Sequence, residues 1–256
     1  MSTERLTDYS HTNIVLLAAG SGSRFSIAGY GLPKPLLPIQ GVPLGCMALR
    51  SVLLGERASD HSLFAVVQEE HCRDHNLDGA INKWFPDLCL VTLTGVLPGP
   101  VHSGLEAIRV ADTDSPVIFV DCDQFFEQSG IVGRIIQSFK NGSSVAVGTM
   151  FATGRDFGYV TTNSGLQITH VVEQTQISSR ALAGVYAFKS VEMFRSLAHC
   201  EVASSEKHET RFSDLLKRAI DDGEKVSEIP IEHHFACGTP LQYQNSLLLL
   251  SRSRSN

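Results

Sequence analysis

The chain of 256 residues has no surplus of basic residues: 21 lysines and arginines stand against 27 acids, a formal net charge of -6. A protein that grips nucleic acid by its backbone needs lysine and arginine concentrated on one face, so this balance argues against that role and leaves room for a local basic pocket only. Long hydrophobic runs are missing as well. SLFAVV (62–67) and PVIFV (116–120) fall far short of the ~20 residues of a membrane helix, so no membrane insertion is expected. The opening MSTERLTDYSHTN carries acids where a secretory signal has an apolar core, which makes the cytoplasm the expected location. Cys46, Cys72, Cys89, Cys122, Cys200 and Cys237 include no CxxC pair, and that suits reduced thiols better than a disulfide frame or a zinc site. His71 and His75 stand four apart in HCRDH but lack the HExxH context of a metal pair. There is no low-complexity stretch, and with 43% hydrophobic and 19% charged residues the chain has the makings of a packed core.

What is present is an alternation. Apolar strand candidates recur at NIVLLAA (13–19), SLFAVVQ (62–68), LCLVTL (88–93), SPVIFVD (115–121) and SSVAVGTM (143–150), and helical spacing lies between them, as in PLGCMALRSVLLG (43–55) and VHSGLEAIRVA (101–111). Strands of continuous hydrophobicity separated by helices predict an α/β protein: a mostly parallel central sheet covered on both faces, in three Rossmann-like α/β/α layers. A β-rich stretch follows, FGYVTTNSGLQITHVVEQ (157–174) and ALAGVYAF (181–188), with NSG as a hairpin turn. Helical pattern returns in VEMFRSLAHC, RFSDLLKRAI and PLQYQNSLLLLS. The expectation is a single domain over 13–243 with polar tails at 1–12 and 250–256.

In open parallel sheets ligands sit beyond the carboxyl ends of the strands, so the residues just after each strand carry the functional reading. After the first strand come Gly20, Ser21, Gly22, Ser23 and Arg24. Small residues let a backbone approach an anion and turn its amides toward it. By itself the loop serves equally well as a tight turn with a solvated arginine, and it has neither the third glycine of the dinucleotide fingerprint nor the GK[ST] ending of a P-loop. Then comes GLPKPLLPI, where a proline on each side of Lys34 biases the backbone toward extended geometry and limits where the ammonium can point. Further on, SPVIFVDCDQFFE ends a strand in Asp121 and Asp123, a hard-oxygen pair suited to Mg²⁺, or to a helix cap or loop salt bridge.

The sequence L-A-A-G-x-G-x-R followed by P-K-P-L-L-P-I resembles the signature of nucleotidyltransferases that join a nucleoside triphosphate to a phosphorylated small molecule, best known as sugar-1-phosphate nucleotidyltransferases. The resemblance extends from about Asn13 to Tyr243 and implies the GT-A-like fold of that family. It makes Arg24 and Lys34 catalytic cations, and it gives Ala18, Ala19, Gly20 and Gly22 to the nucleotide. In LPGPVHSGLEAI, Gly99 and Ser103 are similar to the glycine loop that reads the base. Asp123 in CDQFF becomes the metal ligand, with Asp121 second. HVVEQTQISSRALAGVYAF is similar to the acceptor-binding stretch, so Glu173 would bind acceptor or ribose hydroxyls and Gly184 would let the backbone approach the ligand. The Tyr186 side chain reads as core.

Two positions depart from the pattern. The lysine that grips the acceptor's phosphate is Gln174 here, and Arg180 is the nearby cation that could replace it. The aspartate of the late W-x-D-x-G-T-P loop is Ala236, ahead of Gly238, Thr239 and Pro240, with Glu232, His233 or His234 as candidate replacement ligands. The implied activity is therefore Mg²⁺-dependent transfer from CTP, UTP or dTTP to a sugar 1-phosphate or similar acceptor, as in surface polysaccharide synthesis. Left open are a cytidylyltransferase acting on phosphocholine or a phosphorylated amino acid, a nucleotide-binding regulatory protein without turnover, and homo-oligomer formation.

Overall fold

Four parallel strands carry the first half of the chain in the computed structural model, which describes residues 9, 11–204 and 209–253. In order, the elements of that half are β1 (Thr12–Ala18), α1 (Ser23–Ile27), β2 (Pro38–Ile39), β3 (Val42–Pro43), α2 (Leu44–Val52), β4 (His61–Gln68), α3 (Glu69–His75), α4 (Leu77–Trp84), β5 (Cys89–Leu93), α5 (Pro100–Ala107), β6 (Val117–Asp121) and β7 (Gln124–Phe126). The second half follows with α6 (Ile131–Lys140), β8 (Val145–Phe151), β9 (Gly158–Thr162), β10 (Ile168–Glu173), β11 (Arg180–Phe188), α7 (Val191–Ser204), α8 (Phe212–Asp221), β12 (Val226–Pro230), β13 (His234–Ala236) and α9 (Pro240–Ser253).

The main sheet runs β10-β9-β11-β6-β1-β4-β5, with β8 and β12 continuing from β11. Strands β5, β4, β1 and β6 are mutually parallel. Every residue of β1 is buried, which explains its uninterrupted apolar sequence: alternate side chains enter two different cores. Ile14, Leu16 and Ala18 pack with α2, α4 and α6 on one face, while Val15 and Leu17 pack with α5, α7 and α8 on the other. These are the three layers expected. The parallel register sets Leu17 opposite Asp121, so the loop after β1 and the acids after β6 emerge side by side.

Beyond β6 the sheet changes character. β11 is antiparallel to β6 and to β8, and β9 and β10 form the hairpin read from NSG. Asn163 closes that turn: its Oδ1 accepts from the backbone N–H groups of Gly165 and Gln167 at 2.9 and 3.1 Å.

The tail expected from residue 250 is corrected. α9 continues to Ser253, and Tyr243, Leu247 and Leu250 form a stripe at helical spacing that packs with Phe25, Leu37, Ile39 and Phe125. At the other end Thr12 already belongs to β1, while residues 1–8, 10 and 254–256 lie outside the described residues. β12 and the short β7/β13 ribbon have no counterpart in the expected elements. Among the described residues no helix is long and apolar enough to cross a membrane.

Candidate active site

The loop after β1 opens onto a cleft of about 560 Å³, a volume ordinary for a small-molecule site, whose walls include Ala18, Ala19, Gly20, Gly99, Ser103 and Lys34. Asp121 and Asp123 border the same space. Gly20 faces into it, since a β-carbon there would meet nothing within 4 Å. Gly22 holds φ at +61° as the residue before α1, with Lys34 Cβ 3.7 Å from where its own β-carbon would be. This turn is what seats the glycine loop against the lysine. A brace the sequence did not announce comes from Gln68 at the end of β4: buried, it donates from Nε2 to the carbonyls of Ala19 at 2.5 Å and Gly95 at 3.3 Å. The Ala19 carbonyl at the start of the first loop is therefore held before any ligand arrives.

On the opposite wall Gly99 adopts φ +103°, and an added β-carbon would lie 2.5 Å from the Thr210 carbonyl. Only a glycine lets the segment entering α8 lie so close. Thr210 donates its N–H to Pro98 O at 3.0 Å, and Glu209 joins the cleft wall. This segment, distant in sequence, forms part of the site.

Charge is concentrated where β6 ends. Lys34 Nζ donates to Asp123 Oδ2 at 2.8 Å, with the two side chains about 20% and 19% exposed. Burial alone would push the Lys34 pKa down, but the charge of Asp123, with help from Asp121, outweighs it and raises the net value. Asp121 is pushed well above the usual carboxylate range, first by burial and then by the charge of Asp123, with Lys34 and Tyr186 opposing. Tyr186 Oη lies 3.5 Å from Asp121 Oδ2, while its ring stacks on Phe212 with centroids 4.6 Å apart. Tyr186 is thus a core residue, as expected, whose hydroxyl also reaches the site. Gly184 sits where the pairing of β11 with β8 shifts register, at φ +70°. What its missing side chain admits is Asp121 and Gln124, each with an atom 3.0 Å from the virtual β-carbon.

Arg24 is placed differently. It borders a recess of about 80 Å³ together with Asp123, Gln124, Asp156 and Ala236, adjoining the main cleft through the two shared residues.

The acceptor side rearranges the expected partners. Arg180 does not face the cleft: its Nη1 lies 2.5 Å from Oε1 of Glu228, whose side chain is fully buried and also accepts from Thr149 Oγ1. A buried carboxylate left without its cation is costly, and this holds the arginine where it is. Glu173 instead meets Arg211, Oε2 to Nη1, at 3.5 Å, and Arg211 Nη2 donates to Glu209 at 3.0 Å. Gln174 is exposed with φ +55°, its N–H spent on Phe157 O. Neither Arg211 nor Glu209 belongs to a motif, and only their nearness to Gly99 and Glu173 in the fold singles them out.

Of the residues near Ala236, His234 lies on the same side of β13 and comes within 2.8 Å, Nε2 to Oε1, of Gln124. Burial lowers its pKa to about 4 against the opposing pull of Asp123, so the imidazole is neutral near pH 7. Glu232 and His233 are exposed. His71 and His75 do lie on one helix, α3, but among the described residues no group of three or more histidines, cysteines or acids could hold a metal.

Solved structures share the architecture. A nucleoside-diphosphate-sugar pyrophosphorylase from Vibrio cholerae RC9 superposes with a TM-score of 0.75 at 19% identity, covering 92% of this chain and 99% of the other. A UDP-glucose pyrophosphorylase complexed with UDP-glucose gives 0.73 at 15%, covering 94% and 99%. The inositol-1-phosphate CTP transferase from T. maritima gives 0.70 at 16%, covering 93% and 96%. Comparison with curated proteins finds no relative of significant sequence similarity. The sequence itself, over residues 13–235, matches the nucleotidyl transferase family, and with the match spanning most of the chain this protein is a nucleotidyltransferase belonging to that family.

Proposed function

We propose that the cleft binds a nucleoside triphosphate with its base between the loop after β1 and the Gly99 turn, and its phosphates beside Lys34. A phosphate oxygen of a phosphorylated small-molecule acceptor attacks the α-phosphorus. The bond from the α-phosphorus to its bridging oxygen breaks, and the products are an NDP-linked molecule and pyrophosphate. The observation that carries this reading is that one cleft holds the glycine loop, the Lys34–Asp123 pair and the Gly99 turn together. Such transfers need positioning and charge neutralisation more than covalent help from the protein. Lys34, always protonated here, stabilises charge on the transferred α-phosphate. Arg24 and the amides of Gly20 and Gly22 hold the outgoing pyrophosphate.

Mg²⁺ fits the oxygen donors at the end of β6. The charge of Asp123 adds to burial in raising the cost of ionising Asp121, a repulsion that a divalent cation relieves. Two carboxylates plus substrate phosphates are a usual Mg²⁺ shell, with Asp123 the principal ligand. When bound, the ion neutralises phosphate charge. Lys34 would turn from Asp123 to a phosphate oxygen of the nucleotide, and neutral His234 keeps Gln124 in place beside Asp123.

A second reading concerns the acceptor. Gln174 offers no cation and Ala236 no carboxylate, and these two positions favour an acceptor other than an ordinary sugar 1-phosphate, including phosphocholine or a phosphorylated amino acid taken with CTP. The experiment is pyrophosphate release with Mg²⁺ and each of CTP, UTP, dTTP, ATP and GTP, against sugar 1-phosphates, an inositol phosphate, phosphocholine and phosphorylated amino acids. Turnover with one sugar phosphate supports sugar activation, turnover with a non-sugar acceptor alone supports the second reading, and silence across the panel sinks the choice of acceptor class.

A further inference from the structure

The geometry points to Arg211 as the residue that recognises the phosphate group of the acceptor, an inference that rests on the reading of the cleft given above. An acceptor carrying a phosphate monoester brings up to two negative charges to a site already lined by Asp121, Asp123 and Glu209. It needs a cation that is within reach and free to change partners. Lys34, beside Asp123 at the end of β6, is taken by the α-phosphate of the nucleotide in that reading. Arg180 is held by the buried Glu228, whose other oxygen, Oε2, has no partner, so withdrawing the guanidinium would leave a buried carboxylate with no cation and only the Thr149 hydroxyl to bond it. Arg24 faces the recess beside Asp156.

Arg211 differs from all of these. Its side chain is 36% exposed, and it holds Glu209, itself 54% exposed, at 3.0 Å and Glu173 at a long 3.5 Å. Contacts of that kind are weak and exchangeable. A guanidinium has five N–H donors in a planar fork, so Arg211 can keep Glu173 while turning a pair of donors toward phosphate oxygens.

The backbone that carries it is fixed on both sides. Thr210 is clamped to the Gly99 turn, and Phe212 is buried against the ring of Tyr186, whose hydroxyl faces Asp121. Asp214 Oδ2 accepts the Arg211 N–H at 3.0 Å. A guanidinium presented from so rigid a base loses little freedom on binding. Glu209 then acts as the gatekeeping carboxylate, competing with the acceptor's phosphate for the same donors.

The test uses inorganic phosphate as the probe. It is titrated calorimetrically into the full chain saturated with Mg²⁺ and a non-hydrolysable analogue of whichever NTP binds, so that the nucleotide's own phosphate subsites are filled. The wild type is expected to bind phosphate. Arg211→Gln should weaken that binding roughly ten- to a hundredfold, the value of a charge-assisted contact, while leaving the analogue's affinity within about twofold. Arg211→Lys should retain part of it, Gln174→Ala all of it, and Glu209→Gln should strengthen it. No phosphate binding by the wild type, equal binding by Arg211→Gln, or unchanged or weaker binding by Glu209→Gln each overturns the proposal. Should Arg211→Gln fail to fold, as shown by loss of analogue binding, the Glu209→Gln result decides. The reading of function fails by a different measurement, absence of pyrophosphate release from the wild type.

Discussion

The two halves of the cleft, proposed above for the nucleotide and for the acceptor, are built in different ways. The nucleotide half stands on consecutive residues after parallel strands: Ala18 to Gly22 after β1, and Asp121 to Asp123 after β6, set side by side by one register. Its groups are backbone amides and short side chains with few rotatable bonds. The acceptor half is assembled from the end of β10, the shifted strand β11 and the segment entering α8, which meet only in the folded chain. Its groups are long charged side chains held by partners they can exchange. A half made of backbone tolerates little change in its ligand, whereas one made of exchangeable ion pairs can be retuned by a single residue. This is consistent with a well-matched first motif alongside Gln174 and Ala236.

The largest effect expected from breaking this contrast lies in the nucleotide half. Lys34→Ala should lower kcat by about 10² to 10³, as for the loss of one preorganised group facing developing charge. Unfolding stability should change far less in proportion, by at most about 3 kcal/mol, the lower end for removing one partner of a mostly buried pair. Pyrophosphate release at saturating substrates and a denaturant melt measure the two separately, and wild-type turnover by a folded variant would remove Lys34 from its role.

Arg180→Met should do the opposite. It strands the buried Glu228 carboxylate at a cost of about 2 kcal/mol or more, lowering Tm by about 5 °C for a chain of this size. Turnover per folded molecule should hold. A specific loss of acceptor affinity instead would return Arg180 to the site and blur the boundary between scaffold and acceptor half.

An effect absent near pH 7 appears only in acid. The His234 pKa falls from 6.5 to about 4 in the folded chain, mainly through burial. As pH drops through 6.5 the unfolded chain takes up a proton that the folded one refuses, so this residue withdraws stability progressively until about pH 4. His234→Gln should flatten the fall of Tm across that window. An unchanged slope would mean that His234 is more solvated than its contact with Gln124 indicates.

The parallel strands were legible because burial on both faces forces continuous apolar runs, and the first motif because glycines and prolines restrict the backbone locally. Lys34 and Asp123 could each be singled out, although their 2.8 Å contact spans 89 positions and no local pattern encodes it. Arg180 was misplaced for the same reason. It is close to Glu173 in sequence, but the buried carboxylate that claims it comes from β12, a strand whose sequence VSEIP carries too little periodicity to announce itself. The helix PLQYQNSLLLLS was legible from its apolar spacing, but its end was set too early at residue 250, because the partners that bury Leu250, Phe25 and Phe125 among them, lie far upstream.

The sequence by itself determined the layer order, the glycine loop after β1 and the acids at the end of β6, since each follows from backbone preference or hydrophobic period within a few residues. Which arginine is left with partners it can exchange was decided only by tertiary structure. Arg180 and Arg211 are equivalent as letters, and what separates them is that one meets a buried carboxylate in need of compensation while the other meets two that water already reaches.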